Sequence, residues 1–458
     1  MPAQGNPTPP LVGGTGVRNP ILQGYVFQSG IHKPEHSNIL SYKYPQYYAT
    51  ALLERLGAFE GVTQDVYSWN IIDRTRKSGT VSSLSSTGSP TITFEVTEFD
   101  WTTVAPGYLI LGDLVRTASG AIGRVTASVV STVLTDKQKV TITKIDKSGS
   151  APNWAAGDIA DTQKVGHISN AQVEGSSAPT GRLHLPTEEW NTLTIIRRSF
   201  SISGSELTNK TYLGDGSSWF WTNEDIEMKE FARDRELAVV FGERQNTSGG
   251  PKIANGIWQY VTEYGNTNVY ASAAGITEDD LQEMIKELLI EGVSDDIIAL
   301  AGADAMKDIQ NALRDYAIAG AQSFGQGVSP ATAGLNFQSY YFMGKRLHFA
   351  YYELFDDEAV LPTPASVSAT IYDFSKTVLF LDLGTDSGGK SLINLKYKEH
   401  DGISRKFVHA YETGMVNAYG EQGGHVSNGD DKFTIHLLSE IGVEHRLPNR
   451  CGILTATS

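Results

Sequence analysis

One long charged helix sets the scale of this fold. The stretch NEDIEMKEFARDRELAVVFG predicts a helix over Asn223–Gly242, because a polar residue can cap its start and its acidic first turn complements the helix dipole. Asp225 and Lys229 form a favourable i,i+4 pair. At 1.5 Å per residue, the helix would be about 30 Å long, enough to brace a domain. Nine of the residues from Glu224 to Glu236 are charged, which predicts that its middle is exposed on one side.

A second region, from Thr80 to about Ser177, has the pattern of β structure. Four stretches alternate or run apolar between Gly, Pro, Ser and Asp-Lys turns: TITFEV, YLILGDLVRT, AIGRVTASVV and KVTITKID. Short strands at this spacing predict a small barrel or sandwich of roughly 90 residues.

Helices and strands are segregated along the rest of the chain. A short helix is predicted over Pro45–Leu56, and a helical block over Ile276–Tyr316 that starts with a capping-box-like pair, Thr277 and Asp280. The remainder from Asn336 onward reads mostly as strands. This order of elements favours an α+β fold over a doubly wound sheet.

One motif suggests nucleotide chemistry. Gly384, Gly389, Lys390 and Ser391 match G-x-x-x-x-G-K-[ST], the pattern of a phosphate-binding loop. That loop must open a helix, whereas the residues after Lys390 alternate with a period of two, as in a strand. Only 67 residues remain after Ser391, too few for the further βαβ units of such a sheet. We therefore interpret Gly384–Lys390 as a hairpin or a loop joining two strands.

Other motifs give no positive support for catalysis or metal binding. His32–His36 spells H-x-x-E-H, but Pro34 conflicts with the helix that a zinc site of this kind requires. Ser387 lies in the same Gly-rich turn as the phosphate-loop match, and Glu399–Asp401 reads as a turn before Gly402. We predict no catalytic residue, no cofactor and no metal site.

Composition limits the remaining functions. The 458 residues suggest about three domain-sized units, and no apolar run is long enough to span a bilayer, so we expect a soluble protein made in a cytoplasm. The single cysteine, Cys451, excludes an intrachain disulfide and is expected to be a small buried group. A net charge of -15 disfavours tight binding of nucleic acid, although weak contact on one face is compatible with it.

Several segments, in a fixed order, resemble the major capsid proteins of tailed bacteriophages, in particular a branch with a β insertion near the extended loop. They are PGYLILGDLVR, VGHISNAQVEGSSAP, NTLTIIRRSFSIS, the Asn223–Gly242 helix with ARDRELAVVFGERQ, GGPKIANGIWQYV, LLIEGVSDDIIALAG and the closing LLSEIGVEHRLPNRCGILTA. They extend from about residue 100 to 456. The resemblance implies the tailed-phage major capsid fold, with a long spine helix and an all-β insertion.

The resemblance also implies a domain organisation. The expected parts are an N-terminal arm (1–44), the start of the peripheral domain and extended loop (45–79), the all-β insertion (80–177), the extended-loop return strand and spine helix (178–250), an axial domain (251–400) and C-terminal strands (401–458).

The function implied is a structural, non-enzymatic subunit of an icosahedral capsid, found in the virion and assembled in the host cytoplasm. Its copies would form pentamers and hexamers that enclose double-stranded DNA. Further partners would be a portal, scaffolding or decoration proteins, and packaged DNA through weak non-specific contact, with no membrane. The alternatives are a nucleotide-binding enzyme acting through Gly384–Ser391, or another phage structural protein of the decoration or tail type.

Charged clusters supply the candidate contacts between subunits. Basic residues flank the β module, and the long helix carries both acidic and basic residues. The alternative interpretation of both sets is ordinary solvated surface that makes no specific contact. The candidate subunit-interface residues are Arg74, Arg76, Lys77, Arg197, Arg198, Glu227, Glu230 and Arg233.

Overall fold

A computed structural model of the protein describes residues 48–71, 77–97, 108–130, 138–146, 151–179, 186–209, 219–247, 250–323, 339–364, 367, 371–386, 388–418 and 429–457. The chain divides into two compact units. We call Ser68–Trp190 the barrel unit, and the remainder, up to Tyr67 and from Asn191 onward, the body.

The described part of the chain contains six α-helices. They are α1 (Tyr48–Arg55), α2 (Gly204–Thr208), α3 (Trp219–Phe241), α4 (Ile257–Tyr264), α5 (Glu278–Ile290) and α6 (Ala303–Ser323). Short 3₁₀ turns occur at Glu353–Asp356, Phe374–Lys376 and Pro448–Arg450. No helix in these described ranges is both long enough and apolar enough to cross a membrane.

Strands make up most of the remaining regular structure. They are β1 (Phe59–Val62), β2 (Val66–Ile71), β3 (Ser78–Ser82), β4 (Thr91–Thr97), β5 (Asp113–Thr117), β6 (Ile122–Val130), β7 (Gln138–Lys144), β8 (Lys164–Asn170), β9 (Thr187–Thr192), β10 (Thr194–Ser203), β11 (Gln245–Asn246), β12 (Lys252–Ile253), β13 (Asn266–Ala271), β14 (Asp296–Ala301), β15 (Ser339–Phe342), β16 (Lys345–Tyr351), β17 (Val378–Asp382), β18 (Ile393–His400), β19 (Ile403–Ser404), β20 (Val408–Thr413), β21 (Lys432–His445) and β22 (Gly452–Thr457).

The barrel unit contains a closed six-stranded barrel with the order β3-β4-β7-β6-β5-β8. Strand β7 shows why the sequence forms it, because buried Gln138, Val140 and Ile142 alternate with more exposed residues. The inward residues form one core around Phe94 and Trp154. The barrel interior is thus filled by side chains, as expected at this strand number.

The body has two larger sheets. The first has the order β1-β18-β21-β10, with β19 and β20 attached to β18 and β21. The second has the order β13-β22-β17-β14-β16-β15. Helices α5 and α6 cover one face of the second sheet, where Leu281, Met284 and Ile309 join the core formed with β14 and β16. A second core, containing Trp258 and Phe355 of the body, includes residues of both sheets.

Two predictions about helices need correction. The long helix begins at Trp219, four residues before the predicted start, because Phe220 is buried against Phe200 and Phe433 and this packing extends the helix. In the predicted helical block, DIIALA is strand β14. It lies between β16 and β17, and a short apolar run that is buried on both faces has no periodicity to distinguish strand from helix.

Candidate subunit-interface surfaces

Helix α3, the spine helix, is fixed to the first sheet by aromatic and apolar contacts. Phe220 and Phe231 of α3 are each 1% exposed and pack in one cluster with Phe433, Ile435 and Leu437 of β21. The strand residues are separated by two positions, so they share the face of the sheet that meets the helix. Burial of such side chains contributes about 1.5–3 kcal/mol each. The spine helix and sheet therefore form one stiff element.

Arg198 adds a polar clamp between the same two elements. From β10 its Nε donates to Asp234 Oδ2 at 2.8 Å, and its Nη1 donates to Glu227 Oε2 at 3.1 Å. Glu230 Oε2 lies 3.8 Å from Nη2. Partial burial opposes the charge, but the three carboxylates outweigh it and raise the pKa of Arg198 above its usual value. Arg198 is thus paired with three carboxylates of its own chain, those of Glu227, Glu230 and Asp234.

The remaining candidate on the spine helix is also partnered within the chain. Arg233 Nη2 lies 2.6 Å from Glu230 Oε2, and its Nη1 lies 3.9 Å from Asp357 Oδ2. The predicted pair of Asp225 and Lys229 is formed. A role of these side chains in contacts between subunits remains a prediction. Such contacts would have to use the parts of these side chains that are not already engaged in ion pairs within the chain.

The basic residues that flank the β module differ in their surroundings. Arg74 and Arg76 lie outside the described residues. Lys77 is exposed directly before β3. Arg197 is exposed on the face of β10 opposite Arg198, because successive side chains of a strand point to opposite faces. Neither Lys77 nor Arg197 makes an ion pair with any residue in the described part of the chain. These two are the candidates best placed to meet another molecule.

Sequence reasoning missed Glu236 as a structural residue of the spine helix. Its carboxylate is fully buried and accepts hydrogen bonds from the Ala49 N–H at 3.1 Å, the Thr50 N–H at 2.9 Å and the Tyr352 hydroxyl at 2.5 Å. It thereby satisfies free N–H groups at the start of α1. The signal that could have found it is its position: Glu236 lies at helical spacing with Val240, on the apolar side of the helix.

The segment that resembles a phosphate-binding loop is a turn between β17 and β18. Asp386 Oδ1 accepts hydrogen bonds from the backbone N–H groups of Gly388 at 2.8 Å and Lys390 at 3.0 Å. Thr385 and Ser391 form an antiparallel bridge across it, and the chain continues as a strand from Ile393. Of the two predicted forms, a hairpin or a loop joining two strands, the loop is confirmed, because β17 and β18 belong to different sheets. A carboxylate occupies the backbone donors that would otherwise bind phosphate.

Buried ion pairs surround this turn, and they too were missed. Lys396 Nζ lies 2.5 Å from Glu444 Oε2 and 2.5 Å from Glu60 Oε2, and the Lys396 and Glu444 side chains are 7% and 3% exposed. Arg446 bridges Glu444 and Asp386. These contacts link β1, β18, β21 and the turn. Alternation along β18 could have placed Lys396 on one face of the strand. It could not have shown that Glu60 and Glu444 lie against that face.

The other motifs are structural or lie outside the described residues. Residues 32–36 and Ser387 belong to the latter group. Glu399 and His400 end β18, and Asp401 with Gly402 forms the predicted turn to β19. Cys451 is 1% exposed, as expected, and burial raises the pKa of its thiol to about 12.

The body also has an open acidic cleft at the start of α5. Its volume is about 450 Å³, and Glu278, Asp279 and Asp308 contribute to its lining. Within the described ranges no group of three or more His, Cys, Asp or Glu side chains is arranged to hold a metal ion.

Comparisons with known proteins identify a family. The family model of the SU10 major capsid protein matches residues 44–374. That range runs from before α1 through the barrel and the spine helix to the turn before β17. No curated protein matches the chain.

Several solved structures are similar to the chain at low identity. One from Mycobacterium phage Cain is 10% identical, with a TM-score of 0.42, covering 95% of this chain and 98% of that one. One from Mycobacterium phage Adephagia is 10% identical, with a TM-score of 0.41, covering 96% and 98%. The capsid asymmetric unit of Cyanophage Pam1 is 11% identical, with a TM-score of 0.38, covering 63% and 82%. All three likenesses are distant.

Proposed function

The chain belongs to the SU10 major capsid protein family, and from this premise we propose that its copies assemble into pentamers and hexamers that close into an icosahedral shell around double-stranded DNA. The protein is a structural subunit of a bacteriophage capsid. The observation that carries this conclusion is the family match over residues 44–374, which contains both the barrel and the spine helix.

The stiffness of the body supports a tiling role. Repeated neighbours in a closed shell must meet at reproducible angles, which requires elements that do not bend under load. The spine helix has its aromatic contacts to β21, the Arg198 clamp and the Glu236 hydrogen bonds to α1. Many modest contacts between such rigid subunits give avidity without trapping wrong arrangements.

Further partners follow from the same role. We expect a portal and, in addition, scaffolding or decoration proteins, with assembly in the host cytoplasm. Packaged DNA would be contacted weakly and without sequence preference. The net charge of -15 supports this expectation, because an acidic subunit gains little from neutralising phosphates.

The two alternatives receive less support. A nucleotide-binding enzyme would need the turn at Gly384–Ser391 to open a helix, but β18 follows it and Asp386 fills its backbone donors. A decoration or tail protein is disfavoured by membership of a major capsid family.

Electron microscopy of the purified full-length protein tests the proposal directly. The chain should form uniform closed shells, and sedimentation should separate these from pentamers, hexamers and free subunits. A protein that stays monomeric under every assembly condition, with or without other virion proteins, would contradict it.

Two adjacent arginines on opposite faces of β10 provide a matched test of the predicted contacts. Arg197→Ala should reduce shell yield and leave the melting temperature unchanged, because Arg197 has no ion pair among the described residues. Arg198→Ala should lower the melting temperature, because it leaves three carboxylates of α3 without their common partner. Shells formed at normal yield by Arg197→Ala would remove Arg197 from the interface.

A further inference from the structure

The outer wall of the barrel carries a patch that the fold itself does not use. We call it the barrel patch and define it by Leu111, Arg116, Ile122, Arg124 and Ile168. Leu111 is 59% exposed, Ile168 is 51% exposed and Ile122 is 37% exposed. Arg116 is exposed and Arg124 is half-buried. The patch therefore combines large apolar side chains with two guanidinium groups.

Strand register places these residues side by side. Arg116 of β5 is paired with Ile122 of β6, and Leu114 with Arg124. On the other side of β5, a bulge leaves Ile168 of β8 between His167, which faces Val115, and Ser169, which faces Leu114. The bulge turns an apolar side chain outward, as bulges commonly do.

Hydrogen bonds bring Leu111 to the same wall. Arg124 Nε donates to the Ala171 carbonyl at 3.1 Å. The Ala171 N–H in turn donates to the carbonyl of Gly112 at 2.8 Å, directly beside Leu111. The five residues thus lie on one wall of the barrel, on β5, β6, β8 and the turn before β5.

The barrel core does not require these side chains. The inward positions of the same strands are filled by Val115, Val125 and Val165, each at most 1% exposed. Single exposed apolar residues are ordinary, but several grouped with arginine are typical of protein interfaces, where arginine is enriched and lysine depleted. The patch consequently has the composition of a contact surface.

Charge indicates what the patch meets. Residues 68–190 contain 11 of the 37 Lys and Arg residues and 12 of the 52 Asp and Glu residues. The barrel unit is therefore close to neutral, and the body carries nearly all of the net charge of -15. Arg116 has no ion pair within the described ranges, and Arg124 donates to a backbone carbonyl. An acidic surface with apolar area complements such a patch.

We propose that the barrel patch docks on the acidic body of a second copy of this chain in the assembled shell. This inference rests on the proposed function, because it takes the partner from the self-assembly of the family. Apolar contact by Leu111, Ile122 and Ile168 excludes water, and Arg116 and Arg124 meet carboxylates of the neighbour. The barrel then contributes directly to the contacts between subunits.

Thiol labelling tests the contact in the complete protein. Cys451 is 1% exposed, so an introduced surface cysteine is the reactive thiol of the chain. Ile168→Cys reports on the patch. Val129→Cys is the matched control, because Val129 is 54% exposed on the far end of β6, beside Lys139 of β7. Each variant is labelled with a maleimide as free subunits and as shells made from this chain alone.

In shells, the Ile168→Cys thiol should react at least about tenfold more slowly than in free subunits, and the Val129→Cys thiol should change by less than about twofold. Arg116→Glu should reduce shell yield, and Lys139→Glu, the same charge change on β7, should not. Equal labelling of the Ile168→Cys thiol in both forms, or protection that appears only after other virion proteins are added, would overturn the docking proposal while leaving shell formation intact. Absence of shells from the wild-type chain under every assembly condition, with or without other virion proteins, would count against the proposed function itself.

Discussion

One buried carboxylate of the barrel and one of the body are satisfied in different ways. In the barrel, the fully buried carboxylate of Asp113 accepts hydrogen bonds from the Ile110 N–H at 2.9 Å and the Asn170 amide at 2.7 Å, with His167 nearby at 3.4 Å. In the body, buried Glu444 faces the basic side chains of Lys396 and Arg446.

This difference follows the distribution of charge along the chain. The barrel unit is nearly neutral and keeps one apolar core, whereas the body holds most of the acidic residues and balances some of them with buried cations. Breaking a buried ion pair costs several kcal/mol, so the body is sensitive to changes of charge, while the barrel is sensitive mainly to changes of volume. The two units should therefore respond separately to mutation.

The largest expected effect comes from removing a core tryptophan of the barrel. Trp154 is 1% exposed and packs beside Gly123, where an added Cβ would lie 2.8 Å from the indole. Trp154→Ala should destabilise the barrel by about 3–5 kcal/mol, because it leaves a cavity that small side chains cannot fill. Hydrogen exchange should show lost protection in β4, β6 and β7 and unchanged protection in β14 and β17.

The body offers a matched control for that change. Trp258 is 7% exposed and lies among Phe241, Phe355, Tyr372 and Phe374. Trp258→Ala should remove protection from the body strands and spare the barrel. Loss of protection in both units from either variant would mean that they unfold together and would end the comparison.

Local signals account for what the sequence could predict. The capping box of Thr277 and Asp280 forms as expected, because both partners lie within one turn of helix. Alternation along a strand could have placed Arg197 and Arg198 on opposite faces, but nothing in the sequence indicated that α3 covers the second. The same limit explains the error at β14, which is a strand because β16 and β17 flank it. Pairings over long sequence separation were the part that sequence patterns could not supply.

A smaller effect should appear as a pH dependence of the body. His445 is 1% exposed, beside the Cys451 thiol and the Tyr260 ring, and burial lowers its pKa to about 3. The unfolded chain binds a proton near pH 6.5, whereas the folded chain does not until about pH 3. Stability is therefore lost as pH falls, by about 2 kcal/mol between pH 6.5 and pH 5.

The His445→Gln variant should flatten this dependence, measured as the free energy of unfolding at a series of pH values. The depressed pKa values of Glu60, Asp65 and Asp386 act at lower pH than this window. His400, with a side chain 69% exposed, gives the control, since His400→Gln should keep the wild-type slope. A slope unchanged in His445→Gln would show that burial of this ring does not set the acid sensitivity of the body.

The smallest effect is expected at Lys390, where the body is exposed to solvent. Its side chain is 54% exposed, and its Nζ lies 3.5 Å from Glu60, so Lys390→Ala should change the free energy of unfolding by less than about 0.5 kcal/mol. Asp386→Ala, four residues away, should cost about 1–3 kcal/mol, because it leaves the turn's backbone donors without their acceptor and Arg446 with Glu444 alone. Urea titration measures both. Neither the wild type nor Lys390→Ala should bind ATP in calorimetry, and binding that disappears in Lys390→Ala would restore the phosphate-loop hypothesis against the geometry of Asp386.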